Sequence, residues 1–275
     1  MTEADYRRQF DLSGRVAVVT GACGLLGRQF CRGLAQFGAN VALLDVRAEA
    51  LRVDAAKLAN DHGVRTVGID CDVSDPSAVE RAIHSVLGQL GGIDILLNNA
   101  QSTTTDPRAY FAPFENYDPA EWRRVLSIDL DGMALVAQAV CRHMTRSGRG
   151  GSLIQMASIY GAFGPDNRIY ADAQYRGAAI NTPAVYSVGK AGVLGLTRWL
   201  ATSYASHGIR ANAIIPGGVE DGQSAEFQTR YSARVPLGRM ARRDEVVGAM
   251  IWLASDASSY VTGQGIFVDG GLSAW

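Results

Sequence analysis

Tyr186 and Lys190, in the run Ala184-Val185-Tyr186-Ser187-Val188-Gly189-Lys190, can do acid/base chemistry together. Side chains four positions apart share one face of a helix. A phenol keeps its proton up to about pH 10, too high to act as a base at neutrality. An ammonium at roughly 4 Å, with an effective dielectric near 20, favours the phenolate by about 4 kcal/mol, or about 3 pKa units. So poised, Tyr186 can exchange a proton with a carbinol or carbonyl oxygen. The same spacing also arises on solvated helix faces, so the pair means little without partners.

The run Thr20-Gly21-Ala22-Cys23-Gly24-Leu25-Leu26-Gly27 supplies a second chemistry. Glycines at 21, 24 and 27 permit a tight turn, close approach of backbone to a pyrophosphate, and close packing of the helix that follows. The amides opening that helix then face the phosphates. Asp45 lies 24 positions after Gly21. An acid about 20 residues on accepts from the adenosine ribose hydroxyls and repels a 2′-phosphate, which favours NAD over NADP. Arg47 cuts the other way, since it can pair with that phosphate or simply be a solvated residue at a helix start.

These residues sit in an alternating pattern. Short apolar runs at 15–20, 40–44, 65–69, 93–97, 151–156, 210–215 and 265–268 are mostly without polar alternation, as in strands buried on both faces of a parallel sheet. Helical patterns fit between them, near 25–38, 48–62, 76–90, 119–146, 184–206 and 243–255. Asp118-Pro119-Ala120-Glu121 reads as a capping box that opens the fourth helix. The expectation is an α/β, single-domain Rossmann fold: a doubly wound, seven-stranded parallel sheet with helices on both faces and ligands at the carboxyl ends of its strands. Two segments, about 159–183 and 219–240, interrupt the alternation at that end. They read as substrate-binding walls, with surface decoration or an oligomer contact as the alternative.

At 275 residues with 47% hydrophobic and 19% charged side chains, the chain can bury a substantial core. A net charge of -1 gives no electrostatic reason to expect nucleic acid or an anionic membrane. No signal peptide or membrane span is read, and Cys23, Cys31, Cys71 and Cys141 are scattered without metal-ligand spacing. A cytoplasmic protein without a metal site is expected.

With Thr20–Gly27, Asn98-Asn99-Ala100, Ser158 and Tyr186/Lys190 in order, followed by Asn212, Pro216-Gly217-Gly218-Val219, Thr262-Gly263-Gln264 and Val268-Asp269-Gly270-Gly271, the chain resembles the classical short-chain dehydrogenase/reductases over roughly residues 12–273. The resemblance implies Tyr186 as proton donor and acceptor, Lys190 as its electrostatic partner and ribose ligand, and Ser158 as the donor that orients the substrate oxygen. It implies a cofactor site of Gly21, Cys23, Gly24, Leu25, Leu26, Gly27, Asp45, Asp72, Val73, Asn99, Ala100, Tyr186, Lys190, Pro216, Gly217 and Val219, with Asn98 and Ala100 flanking the adenosine. It also implies a homotetramer and a small-molecule substrate.

Four departures stand out. The glycine spacing is closer to the extended branch of epimerases and dehydratases. Asp129 occupies the position where the family commonly has an asparagine completing a proton relay. Gln101 replaces the last glycine of Asn-Asn-Ala-Gly, and Asp221 stands where a threonine often meets the carboxamide. Ser158 and Tyr186 are 28 positions apart, longer than the family's usual spacing. The residues between them, among them Phe163, Asp166, Asn167, Tyr170 and Tyr175, suit a sugar-like ligand, and with Gly24–Gly27 resemble the flagellin- or sugar-modification branch. The expected activity is hydride transfer between NAD and a secondary alcohol or ketone on a polar hydroxylated substrate. The alternatives are a sugar epimerase or dehydratase that retains NAD, and a catalytically impaired dinucleotide-binding protein.

Overall fold

Successive residues of the first strand, β1 (Val16–Thr20), face opposite ways, and all of them are buried. Val16 and Val18 enter one apolar cluster, Ala17 and Val19 another. Each face of the strand therefore needs its own helical cover. A computed structural model describes residues 5–275. In chain order it runs β1, α1 (Leu25–Gln36), β2 (Asn40–Asp45), α2 (Ala48–His62), β3 (Thr66–Asp70), α3 (Pro76–Leu90) and β4 (Ile95–Asn98). A short α4 (Pro107–Tyr110) and α5 (Pro119–Leu126) lead through a π-helical turn at Ser127–Gly132 into α6 (Met133–Ser147) and β5 (Gly151–Met156). Then come α7 (Ile159–Ala162), a two-residue hairpin of β6 (Gln174–Tyr175) and β7 (Ala178–Ala179), and α8 (Ala184–Ser203). The chain closes with β8 (Ile209–Pro216), α9 (Ala225–Ser232), α10 (Val247–Ala254) and β9 (Gly265–Val268).

Seven strands form one parallel sheet in the order β3-β2-β1-β4-β5-β8-β9, as the α/β reading expects. One face carries Phe30 and Leu34 of α1 with Met250 and Leu253 of α10. The other carries Val79, Ile83 and Val86 of α3 with Val136, Val140 and Met144 of α6. Each such side chain contributes about 1.5–3 kcal/mol by leaving water. Between β1 and β4 the order reverses, and this crevice at the carboxyl ends of the strands is where a doubly wound sheet binds ligands.

Several boundaries differ from expectation. The helix expected over 119–146 is interrupted by the π turn, and the one expected over 243–255 begins only at Val247. Asp118 caps α5 by accepting from the Ala120 amide, but Glu121 pairs with Arg124 and not with the Asp118 amide, so the capping box is half made. The 219–240 segment contains α9, and the 159–183 segment contains α7 and the hairpin. Among the described residues no helix is long and apolar enough to cross a membrane.

Candidate active site

Thr20 ends β1 and ties the crevice together. Its hydroxyl donates to Asn98 Oδ1 at 3.3 Å and accepts from the amides of Asn99 at 2.9 Å and Ala100 at 3.0 Å. Asn98 is fully buried and its amide nitrogen donates to the Met133 carbonyl at 2.7 Å. Asn98 thus joins β4 to α6 through its side-chain amide. Asn99 and Ala100 do border the turn, the Asn99 side chain donating to the Thr20 and Gly21 carbonyls.

Two glycines of the turn are dictated by space. Gly21 has φ +61°, and a Cβ there would stand 2.9 Å from the Ala100 Cα. At Gly27, inside the first turn of α1, a Cβ would lie 2.1 Å from the Gly21 carbonyl oxygen. The amides of Leu25, Leu26 and Gly27 open the helix and have no partner within it. This cradle fits a pyrophosphate. Cys23 is different: its amide donates to Asp45 Oδ2 at 3.0 Å and is not free, and burial pushes its thiol up to about 12. Asp45 ends β2 with a buried carboxylate that also takes three hydrogen bonds from Arg47. Asp72 is exposed and bonded to Ser74, beside a buried Val73 that packs on Gly132 of the π turn.

Tyr186 and Lys190 lie in the first two turns of α8, and Ser158 follows β5. Ser158 caps α7, accepting from the Tyr160 amide at 3.2 Å. Its hydroxyl also reaches Tyr186. The phenol is pushed up to about 12, chiefly by burial and also by the Asp129 charge, against the lowering effect of the hydrogen bond with Ser158. Lys190 Nζ sits 5.7 Å from the centre of the Tyr186 ring and donates to the Met156 carbonyl at 3.0 Å. Burial lowers the lysine against the pull of Asp129. One of its three donors is used, so two remain for neighbours.

Asp129 stands in the π turn, 1% exposed. Single-turn π segments recur at functional sites because they re-aim one side chain. Here Asp129 Oδ1 accepts from the Ser102 amide at 2.5 Å, while Oδ2 and the Ser102 hydroxyl have no partner. Burial raises its carboxyl, and Lys190 opposes this. Ser158, Tyr186, Lys190 and Asp129 thus converge from three places in the fold: the cap of α7, the start of α8 and the π turn.

Gly217 donates to the Val268 carbonyl at 3.0 Å and Val219 bridges to Ala241, which holds the Pro216–Val219 loop beside β9. Sequence reasoning missed Tyr231 of α9. Its hydroxyl accepts from the Gly218 amide, and its ring lies where a Cβ on Gly218 would go. Nothing in spacing pointed to it, because α9 had no strand pattern to anchor it. Gln101 and Asp221 are exposed, and Asp221 pairs with Arg243 at 3.1 Å. The two interrupting segments meet: Tyr170 packs on Phe227 with ring centres 5.5 Å apart and shares a 2.6 Å hydrogen bond with Thr182. A cavity of about 350 Å³ opens among Tyr160, Phe163, Tyr231, Arg234, Leu272 and Trp275. Ser158 and Tyr186 do not line it, though Tyr160 and Tyr231 stand close enough to Tyr186 to feel its charge.

A family profile described as enoyl-(acyl carrier protein) reductase matches residues 21–273. The chain is 39% identical over 264 residues to cis-4-hydroxycyclohexanecarboxylate dehydrogenase of Sinomonas cyclohexanicum, covering 94% of this chain and 97% of that one. It superposes on gluconate 5-dehydrogenase of Burkholderia cenocepacia, solved with NADP and tartrate, with TM-score 0.85, 33% identity and coverage of 97% and 98%. It also matches a NAD+-bound xylitol dehydrogenase, with TM-score 0.82, 30% identity and coverage of 94% and 99%.

Proposed function

Because the chain belongs to the short-chain dehydrogenase/reductase family, we propose that it is an NAD(H)-dependent oxidoreductase that interconverts a secondary alcohol and a ketone on a polar, hydroxylated small molecule, with Tyr186 as acid and base. The observation that carries this is the convergence of Ser158, Tyr186, Lys190 and Asp129 in a chain that also folds a glycine turn at its first strand–helix junction. NAD bound in that turn would supply or accept the hydride, leaving the protein to handle the proton. In reduction, Ser158 holds the substrate oxygen and Tyr186 gives it a proton; in oxidation Ser158 holds the same oxygen and the Tyr186 phenolate takes the proton from it. Lys190 keeps two donors for the phenol oxygen and a ribose. With the phenol at about 12, proton loss from Tyr186 needs a positive charge brought close, and Lys190, 5.7 Å from the ring centre, is placed to supply it. Gly21, Leu25, Leu26 and Gly27 would hold the phosphates, Asp45 the adenosine ribose, Asp72, Val73, Asn99 and Ala100 the adenine side, and Pro216, Gly217 and Val219 the nicotinamide.

The substrate class is supported by the hydroxyls of Tyr160, Tyr170, Thr182 and Tyr231 beside the rings of Phe163 and Phe227, and by the hydroxylated compounds for which the relatives are named. We take the 159–183 and 219–240 segments as its walls. Buried free thiols suit a reducing cytoplasm, and the family suggests a homotetramer.

The test is NADH absorbance with purified protein, NAD and a panel of cyclic hydroxy acids, aldonates and polyols. Tyr186→Phe should lower turnover by about 10²–10⁴-fold while NAD affinity stays within about twofold. A variant that turns over normally removes Tyr186 from the mechanism.

A further inference from the structure

The two segments that interrupt the α/β alternation meet around a positive charge that they do not cancel. Asp166 accepts from the Arg168 guanidinium through both oxygens at 2.8–3.0 Å, and Arg234 Nη1 pairs with the same Oδ2. Arg230 lines the adjoining surface, with Asp172 at 3.8 Å. Three guanidiniums thus face two carboxylates, and the Asp172 side chain is 94% exposed, where water screens it. Arg234, just past α9, stands at the boundary between two openings. One is the cavity of about 350 Å³ among Tyr160, Phe163 and Tyr231; the other, of about 500 Å³, lies beside Arg168 and Arg230. Among the described residues, Asp166 is the only acidic side chain that lines either. Beyond its pairing with Asp166, the buried Arg234 Nη1 has no hydrogen-bond partner. The inner cavity is otherwise aromatic and apolar, with phenol oxygens at Tyr160 and Tyr231. The Tyr231 oxygen accepts from the Gly218 amide, so its own proton is free to be donated. Tyr160 joins this cavity to the acid/base, because the Ser158 hydroxyl accepts from its amide at 3.2 Å.

We propose that Arg234 is the ligand for a carboxylate on the substrate, which makes the substrate class a hydroxy acid. The inference rests on the reading of Ser158 and Tyr186 as the reacting site. The carbinol lies at those two residues, the carbon body against Tyr160, Phe163 and Tyr231, and the carboxylate on the Arg234 fork. A guanidinium presents two parallel N–H groups to a carboxylate, and such charge-assisted pairs are about twice as strong as neutral hydrogen bonds. Asp166 steers Arg234 without competing to the end. Arg168 already holds both of its oxygens, so turning Arg234 to the substrate leaves no carboxylate unpaired.

Initial rates of NADH formation test this with two matched pairs: 4-hydroxycyclohexanecarboxylate against its carboxamide, and gluconate against glucitol. At least one acid should exceed its neutral partner in kcat/KM by roughly tenfold or more, the scale of a charge-assisted hydrogen bond. Arg234→Gln should lower kcat/KM for that acid by roughly tenfold, mainly through KM, and leave the neutral partner within about threefold. Arg234→Lys keeps the charge without the fork and should restore part of the loss. The calorimetric dissociation constant for NAD should be the same in all three proteins. Cyclohexanecarboxylate, which has no carbinol, should inhibit the unsubstituted protein competitively with substrate, and cyclohexanecarboxamide should not; this arm needs no variant. Equal rates on acid and neutral partner, or an Arg234→Gln loss shared by both, would mean that Arg234 only holds the wall, and overturns the subsite. If none of the four compounds is oxidised, the proposed reaction fails and the subsite with it. If the neutral compounds are oxidised and the acids are no better, the subsite alone fails.

Discussion

Gly27→Ala adds one carbon atom at the tightest point of the nucleotide turn. That carbon would lie 2.1 Å from the Gly21 oxygen, 2.8 Å from the Ala22 oxygen and 2.9 Å from the Ala22 carbonyl carbon, all backbone atoms that no rotamer change can clear. Relief to a normal contact moves the start of α1 by about 1 Å relative to the turn, an overpacking that costs about 1–3 kcal/mol of stability. The same shift lengthens hydrogen bonds from the Leu25–Gly27 amides to a bound phosphate beyond useful range. Each bond to a charged group is worth about 1.5–3 kcal/mol, so losing two predicts at least a 100-fold fall in NAD affinity. Calorimetric titration with NAD beside a thermal melt reads both effects. Gly88→Ala is the matched control, because nothing lies within 4 Å of its added carbon. In the interior of α3 it should stabilise by about 0.5–1 kcal/mol and leave NAD untouched. If Gly27→Ala binds NAD within about threefold of the unsubstituted protein, the turn does not hold a pyrophosphate as argued.

Asp129→Asn keeps the shape but removes a charge that pushes the Tyr186 phenol up. Alcohol oxidation needs the phenolate, which forms above the phenol's pKa, so lowering that pKa should move the rising limb of kcat/KM to lower pH. A limb that stays in place or moves up would show that the carboxylate is not felt at the phenol. Tyr231→Phe strips the acceptor from the Gly218 amide while preserving the ring. An unsatisfied amide costs about 1–3 kcal/mol, which for a chain of this size lowers Tm by about 2–6 °C. Differential scanning calorimetry reads this, and an unchanged Tm would mean that the loop does not depend on the hydroxyl.

The fold was legible because its signals are local. Unbroken apolar runs followed by helical periods can bury both faces of a strand in only one way, and the observed strands fall within one or two residues of those runs. The glycine triplet was legible for the same reason, since crowding at Gly21 and Gly27 arises within one strand–turn–helix unit. The helix over 119–146 misled because its apolar period runs on through 127–132. The sequence carries no mark of the one-residue widening that turns Asp129 toward Ser102.

What the sequence by itself determined is the set of chemical groups and their order along the chain: the turn, the acid after the second strand, the serine after the fifth, and the tyrosine and lysine one helical turn apart. What only the tertiary structure decided is how those groups are spent. Asp45 is saturated by Arg47, the Cys23 amide is consumed by Asp45, and Asn98 is locked onto α6. Lys190 points first at Met156, and Tyr231 enters from a helix that no spacing marked. Hydrogen bonds and burial depend on distances between residues far apart in the chain. The resting state of each group therefore follows from packing, while its capacity follows from its type.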